Sequence, residues 1–145
     1  MDPRDFLTLA QQLALETTEA AWRSALSRAY YAAFHVARQL LENLGFAVPR
    51  ADRAHGHVWL RLSNCSDPPI QKVGADLNYL RRDRNWADYD LARPMRQAIM
   101  QRQLLSASHI IQILATASVE PTRTAITDAM KIYERDVLHD VTWHP

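Results

Sequence analysis

Ile70-Gln71-Lys72-Val73-Gly74-Ala75-Asp76-Leu77-Asn78-Tyr79-Leu80-Arg81-Arg82-Asp83-Arg84-Asn85-Trp86-Ala87-Asp88-Tyr89-Asp90 decides the fold class. Ile70, Val73, Leu77 and Leu80 recur at three- and four-residue steps, the period of one helix face. The same stripe runs on to Arg84 and, four residues further, to Asp88. A charged pair where the pattern asks for apolar side chains needs a physical reason. Either the two ions satisfy each other in a partly buried place, or they belong to a site.

Working outward, helical patterns continue in both directions. Asp67 caps this helix and the prolines behind it start it, and its pattern lapses by Asp90. Asp2-Pro3 reads as the cap and first residue of an earlier helix carrying Phe6, Leu9, Leu13 and Glu16. Thr17-Thr18 offers a new cap for a long helix over residues 19–44, ended by Gly45 in a left-handed conformation. Its apolar stripe is Trp22, Leu26, Ala29, Ala33, Val36, Leu40 and Leu44. Ser24, Arg28, Tyr31, His35, Arg38 and Glu42 form a second stripe. That stripe is either a solvent face or, through Arg28, Tyr31 and His35, the lining of a groove or subunit contact.

Residues 46–53 read as a loop, with Asp52 capping a third helix through His55, Val58, Trp59 and Leu62. Pro94 starts a fifth helix with Ile99, Leu104, Ile110, Ile111 and Leu114 as core candidates. Glu120-Pro121-Thr122 breaks it, and a sixth amphipathic helix follows through Ile126, Met130, Tyr133 and Val137. The tail Thr142-Trp143-His144-Pro145 reads as loose. Trp22, Trp59 and Trp86 are expected as core or interface anchors, and Tyr79 and Tyr133 as packing residues. The elements predict an all-α protein. Residues 1–118 form an antiparallel up-and-down bundle of four or five helices. Residues 119–145 form an extra helix and tail packed on the bundle or on a partner.

Composition agrees. Three glycines in 145 residues are few for a sheet protein rich in tight turns. The single cysteine, Cys65, excludes an intramolecular disulfide and a Cys-rich metal site, and fits a reducing cytoplasm. Its polar loop shows no partner that would make it a nucleophile. No basic head and apolar core mark a secretory signal, and no uncharged apolar run approaches the roughly 18 residues of a membrane span. The expectation is a cytoplasmic protein with no membrane association. The net charge of +1 is unevenly spread: residues 1–49 carry −1, residues 50–102 carry +4 and residues 103–145 carry −2. Fifteen of the seventeen cations are arginine, whose planar fork suits carboxylate or phosphate. A basic central third is compatible with nucleic acid and equally with solvated helix faces. His55 and His57, two apart on a helix, point to different faces, which argues against a shared metal.

Ser27-Arg28-Ala29-Tyr30-Tyr31-Ala32-Ala33-Phe34-His35 closely resembles the helix signature of HEPN-domain proteins. Residues 80–90 resemble a later helix of the same family, in the branch where an arginine precedes Ala-Asp-Tyr-Asp; Arg84, Ala87, Asp88, Tyr89 and Asp90 match it. The resemblance spans about residues 5–118 and stops before the helix after Pro121. It implies an α-helical bundle, commonly dimeric. Many such proteins act in toxin–antitoxin or other defence systems, often encoded beside a small nucleotidyltransferase that neutralises them. Many members are metal-independent endoribonucleases whose motif runs from an arginine and a polar residue to a histidine, and two copies meet in one composite site. No cofactor is implied. By the resemblance Arg84, Asn85, Asp88 and Tyr89 are the catalytic candidates, with Arg28, Tyr31, His35 and Arg81 in support or at the interface. Where that motif places histidine this chain has Tyr89, and no histidine follows Arg84 until His109.

The departure bears on chemistry. Metal-free RNA cleavage needs the ribose 2′-OH deprotonated and the leaving oxygen protonated, and a neutral-range acid–base group contributes roughly 10²–10⁴-fold. Arginine can stabilise phosphate charge but cannot serve as a base. A tyrosine, with a reference pKa of about 10, is a poor base. His35, on another helix, is the best substitute by its side-chain chemistry. Two functions are therefore expected side by side. One is a dimeric module that associates with nucleic acid, nucleotide or a nucleotidyltransferase partner. The other is an active endoribonuclease toxin. Arg84 and Asp88 also admit a purely structural role, as an i, i+4 ion pair pinning the helix.

Overall fold

Helix boundaries fall where local chemistry ends the backbone ladder. A computed structural model describes residues 1–145. It contains α1 (Arg4–Leu13), α2 (Glu19–Asn43), α3 (Arg53–Ser63), α4 (Pro68–Tyr89), α5 (Gln97–Ala117) and α6 (Thr122–Tyr133), the last continued by a π-helical turn over Glu134–Leu138. The protein is all-α, and no helix is long and apolar enough to cross a membrane.

The expected caps are largely present. Asp2 Oδ1 accepts the Arg4 backbone N–H at 2.9 Å, Thr18 Oγ1 accepts that of Ala21 at 3.2 Å, and Asp67 Oδ1 accepts that of Ile70 at 3.2 Å. Each satisfies a donor that the first helical turn leaves open. Gly45, at φ +103°, closes α2. The Phe46 N–H donates to Leu41 O and the Gly45 N–H to Glu42 O, the paired bonds of a Schellman end. Two expectations fail. Asp52 makes no side-chain cap at α3, and α5 begins at Gln97 rather than Pro94. The chain from Leu91 to Arg96 is instead held by side chains, as described below.

The chain divides into two compact units, each with its own core. Unit one is Met1–Val36 with Asp76–Ile111; it buries Leu26, Tyr30 and Phe34 of α2, Leu77, Leu80 and Ala87 of α4, and Met100 and Ile110 of α5. Within it α2 is covered well beyond the apolar stripe read from sequence, because small residues (Ala25, Ala29, Ala32, Ala33) let neighbours approach on several sides. Unit two is Ala37–Ala75 with Gln112–Pro145; it buries Leu41, Phe46, Val58, Leu62, Ile70, Val73, Ile126 and Met130. There α3 and α4 touch at Gly74, where a Cβ would sit 2.5 Å from Ser63 N. Any larger residue forces the helices apart.

The C-terminal region departs most from expectation. Val137, read as the next apolar position of the sixth helix, is exposed. The stripe Ile126–Met130 continues instead to Glu134, which is fully buried. The tail is not loose: Phe46 and Trp143 form an isolated antiparallel bridge, and the Trp143 indole donates to Leu44 O at 2.9 Å.

Candidate functional site

Arg84 occupies an apolar position on α4 and is 7% exposed. The guanidinium is received by aromatic faces. Its carbon lies 5.1 Å from the Tyr30 ring centroid and 5.3 Å from that of Tyr31, both on α2. Such contacts replace part of the hydration a cation loses on burial. The Asp88 carboxylate, one turn on, lies 3.7 Å from Nη1, and Nε has no hydrogen-bond partner although it is buried. A buried cation with one loose ion pair and an unfilled donor is under-satisfied. Beside it, burial raises the Tyr30 hydroxyl pKa, a shift that the charges of Arg84 and Arg81 partly offset, so Tyr30 remains a phenol.

Asp88 is held from the α2 side. The buried Ser27 hydroxyl donates to Asp88 Oδ2 at 3.1 Å. Arg28 reaches Ser27 Oγ at 3.5 Å and lies over both the Tyr31 ring, at 5.1 Å, and the Phe6 ring of α1, at 5.4 Å. His35 completes the row, stacked on Tyr31 with centroids 6.1 Å apart and on Phe6 at 6.0 Å. Five sequence-derived site residues, Arg28, Tyr31, His35, Arg84 and Asp88, thus meet on one α2–α4 face of unit one. Arg81 bonds to Asn78 through Nε and Nη2 at 3.2 and 3.0 Å. Asn85 is half-buried, and Tyr89 is 78% exposed at the end of α4.

The end of α4 is fixed by a residue the sequence pattern did not single out. Arg23, 8% exposed, donates through Nη1 to Ala87 O at 2.8 Å, Asp90 O at 3.1 Å and Trp86 O at 3.3 Å, and through Nη2 to Arg93 O. One guanidinium therefore gathers carbonyls from the last turn of α4 and from the chain that follows it, among them Ala87 O at the open end of the helix. Glu19 Oε1 binds Arg23 at 2.8 Å and accepts the Met95 N–H at 2.9 Å, and these contacts lower its pKa. The segment between α4 and α5 is tied to α2, which sets where Asp88 and Tyr89 stand. The available signal was the Glu19/Arg23 i, i+4 pair. The Arg23 and Arg93 guanidinium carbons lie 5.7 and 4.0 Å from the ring centroid of the half-buried Trp86.

Unit two contains a buried arginine of its own. Arg61 of α3, 2% exposed, donates through Nε and Nη2 to Glu134 Oε2 at 2.9 and 2.7 Å, and through Nη1 to His57 O at 3.2 Å. Thr142 Oγ1 donates to the same carboxylate oxygen, while Oε1 accepts the Thr142 and Trp143 backbone N–H groups, both at 3.0 Å. Burial alone would raise the Glu134 pKa, but the bonds from Thr142 and Arg61 outweigh it and hold the carboxylate ionised. Burial and the Arg61 charge push His57 down to about 4, leaving a neutral ring beside a cleft of about 220 Å³. Cys65 is buried, and burial raises its thiol pKa, so it stays protonated. No family model, curated protein or solved structure matches this chain.

Proposed function

We propose that this chain is a HEPN-type helical module of a toxin–antitoxin or other defence system, working in the cytoplasm as a homodimer. Its α2–α4 face, around Arg28, Tyr31, Arg84 and Tyr89, engages the phosphates of a nucleic acid or nucleotide, or docks a nucleotidyltransferase partner. One observation carries the reading. Arg84 is buried among aromatic rings, yet its charge meets Asp88 only at 3.7 Å and its Nε has no partner. An anion arriving at this cation would supply what folding leaves unfilled. Arg28, over the same Tyr31 ring that faces Arg84, flanks a site of that kind with a second charge.

A second reading, a metal-independent endoribonuclease, is favoured by the position of His35. The motif histidine is absent from α4, but His35 stacks on the same Tyr31 ring that faces Arg84. An imidazole on that face can take a proton from a ribose hydroxyl while Arg84 stabilises the phosphate. Titrating single-stranded RNA in chelator, followed by anisotropy and by gel, separates the readings. Arg84→Ala weakens binding at least about tenfold if it removes a charge-assisted phosphate contact. Unchanged affinity in a folded variant ends the phosphate reading, and cleavage that His35→Ala leaves intact ends the second.

A further inference from the structure

The segment Thr142-Trp143-His144 lies on unit two as a docked peptide would. Two successive backbone N–H groups, of Thr142 and Trp143, point at one buried carboxylate oxygen of Glu134. The Ala47 N–H donates to Thr142 O at 3.1 Å and the His144 N–H to Gly45 O at 3.0 Å, so the tail pairs as a short strand. The Trp143 indole is the anchor: it donates to Leu44 O at 2.9 Å and carries the Lys131 ammonium 3.7 Å from its ring centroid. The seat is shaped for that ring. A Cβ on Gly45 would stand 2.7 Å from the Trp143 indole nitrogen and 2.8 Å from His144 O. Backbone pairing for affinity with one side chain in a notch for specificity is the pattern of strand-addition peptide recognition.

The connection to the rest of the chain is slight by comparison. His139 turns the backbone at φ +51°, a left-handed value that costs a non-glycine residue energy, and Asp140 and Val141 behind it are exposed. The hinge is held by two backbone bonds to one carbonyl, from the His139 N–H and, at 3.1 Å, from the Asp140 N–H to Glu134 O, and by a 3.8 Å contact between Asp140 and Arg61. Strain sits in the connection and recognition sits in the seat.

We propose that the seat formed by Glu134, Leu44, Gly45, Ala47 and Lys131 is a docking site for an extended Thr-Trp segment, and that its exchange occupant is the tail of a second copy of this chain. Every contact made within one molecule is reproduced when the tail comes from another, and exchange relieves the turn at His139. The intramolecular tail wins at low concentration because it is tethered, and a second copy competes as concentration rises.

Full-length Trp143→Ala, which loses the anchor and frees the notch, tests the seat. A fluorescent peptide of residues 140–145 should bind this variant saturably and wild type at least tenfold more weakly, and the same peptide with alanine for tryptophan should not bind. A folded Trp143→Ala protein with no saturable binding overturns the proposal. Thr142→Val, which keeps the indole and loses one side-chain bond to Glu134, serves in the same titration if the first variant does not fold. Sedimentation then tests the occupant: equimolar wild type and Trp143→Ala should form a mixed dimer at high micromolar concentration, and two non-interacting populations would exclude the second copy. None of these outcomes depends on Arg84.

Discussion

Of the three buried arginines in this chain, Arg84 of unit one and Arg61 of unit two have opposite surroundings. Arg61 is paired at every nitrogen: Nε and Nη2 grip one carboxylate and Nη1 reaches a backbone carbonyl. Its partner Glu134 is filled as well, with Thr142 and Trp143 taking its remaining lone pairs. Arg84 is equally hidden but has a single carboxylate at 3.7 Å, an idle Nε and two aromatic rings. An under-paired buried cation recovers only part of its desolvation cost. The completed network reads as architecture, and the incomplete one as a place kept for something else.

The largest test of that contrast is Arg61→Ala. It strands a fully buried carboxylate and should cost about 3–5 kcal/mol in denaturant unfolding. Replacing the pair together, Arg61→Met with Glu134→Leu, should recover part of the loss, because no uncompensated charge remains although the Thr142 and Trp143 N–H groups lose their acceptor. A single-variant cost below about 1 kcal/mol, the range of exposed pairs, would break the assignment of Arg61 as architecture.

Acid should unlock the same network next. His57 is held at about 4 by burial and by Arg61, against about 6.5 when unfolded. The unfolded chain therefore takes up this proton first. The contribution of His57 is complete above about pH 6.5 and is lost as pH falls toward 4, worth about 2–3 kcal/mol at the lower end. Glu134, lowered by Thr142 and Arg61, adds its own loss as pH falls from the ordinary carboxylate value of about 4.5 downward. Thermal melts at pH 7 and pH 4.5 should show the fall, and His57→Gln should flatten it. A wild-type curve that is flat between those values would show that the ring is not buried neutral.

How much of this could be read beforehand differs between the two arginines, for a physical reason. Arg84 announced itself because it continues a long run, Ile70, Val73, Leu77 and Leu80, on an uninterrupted α-helix. Glu134 follows the same rule after Ile126 and Met130, but the stripe was drawn through Tyr133 and Val137. A straight α-helical period misplaces residues where the chain enters a π-helical turn, as it does at Glu134. The docked tail was missed for a different cause: Thr142, Trp143 and His144 bond to residues that are distant in sequence, and no local pattern encodes such contacts. Arg23 sat between the two stripes drawn on α2, and its partners are backbone carbonyls, which carry no sequence signal. The caps at Asp2, Thr18 and Asp67 were legible because each acts within three residues.

Arg84→Ala should separate stability from function. It removes the contacts with Tyr30 and Tyr31 but leaves Asp88 29% exposed and still bonded to Ser27, so no buried charge is stranded. The expected cost is about 1–2 kcal/mol, well under that of Arg61→Ala, from lost packing and cation–π contact. RNA or phosphate affinity should fall at least about tenfold in the same protein. A stability loss matching that of Arg61→Ala, with affinity unchanged, would make Arg84 architectural too and erase the contrast.

The smallest stability effect belongs to Asp88→Asn, and its sign on binding is the sharpest discriminator. The Arg84–Asp88 pair is long and its carboxylate is partly open to solvent, so neutralising it should cost about 1 kcal/mol or less, although Arg84 itself is buried. The asparagine side-chain oxygen can still accept the Ser27 hydroxyl. If Arg84 is kept for an anion, Asp88 competes with that anion for the same guanidinium, and neutralising it should strengthen phosphate or RNA binding severalfold. If Asp88 also assists the proton transfer that the cleavage reading gives to His35, the same variant should bind more tightly and cleave more slowly. Weaker binding in a folded Asp88→Asn protein would mean that the carboxylate orients Arg84 rather than rivals its ligand. The loose 3.7 Å contact would then be a working hinge of the site and not a vacancy.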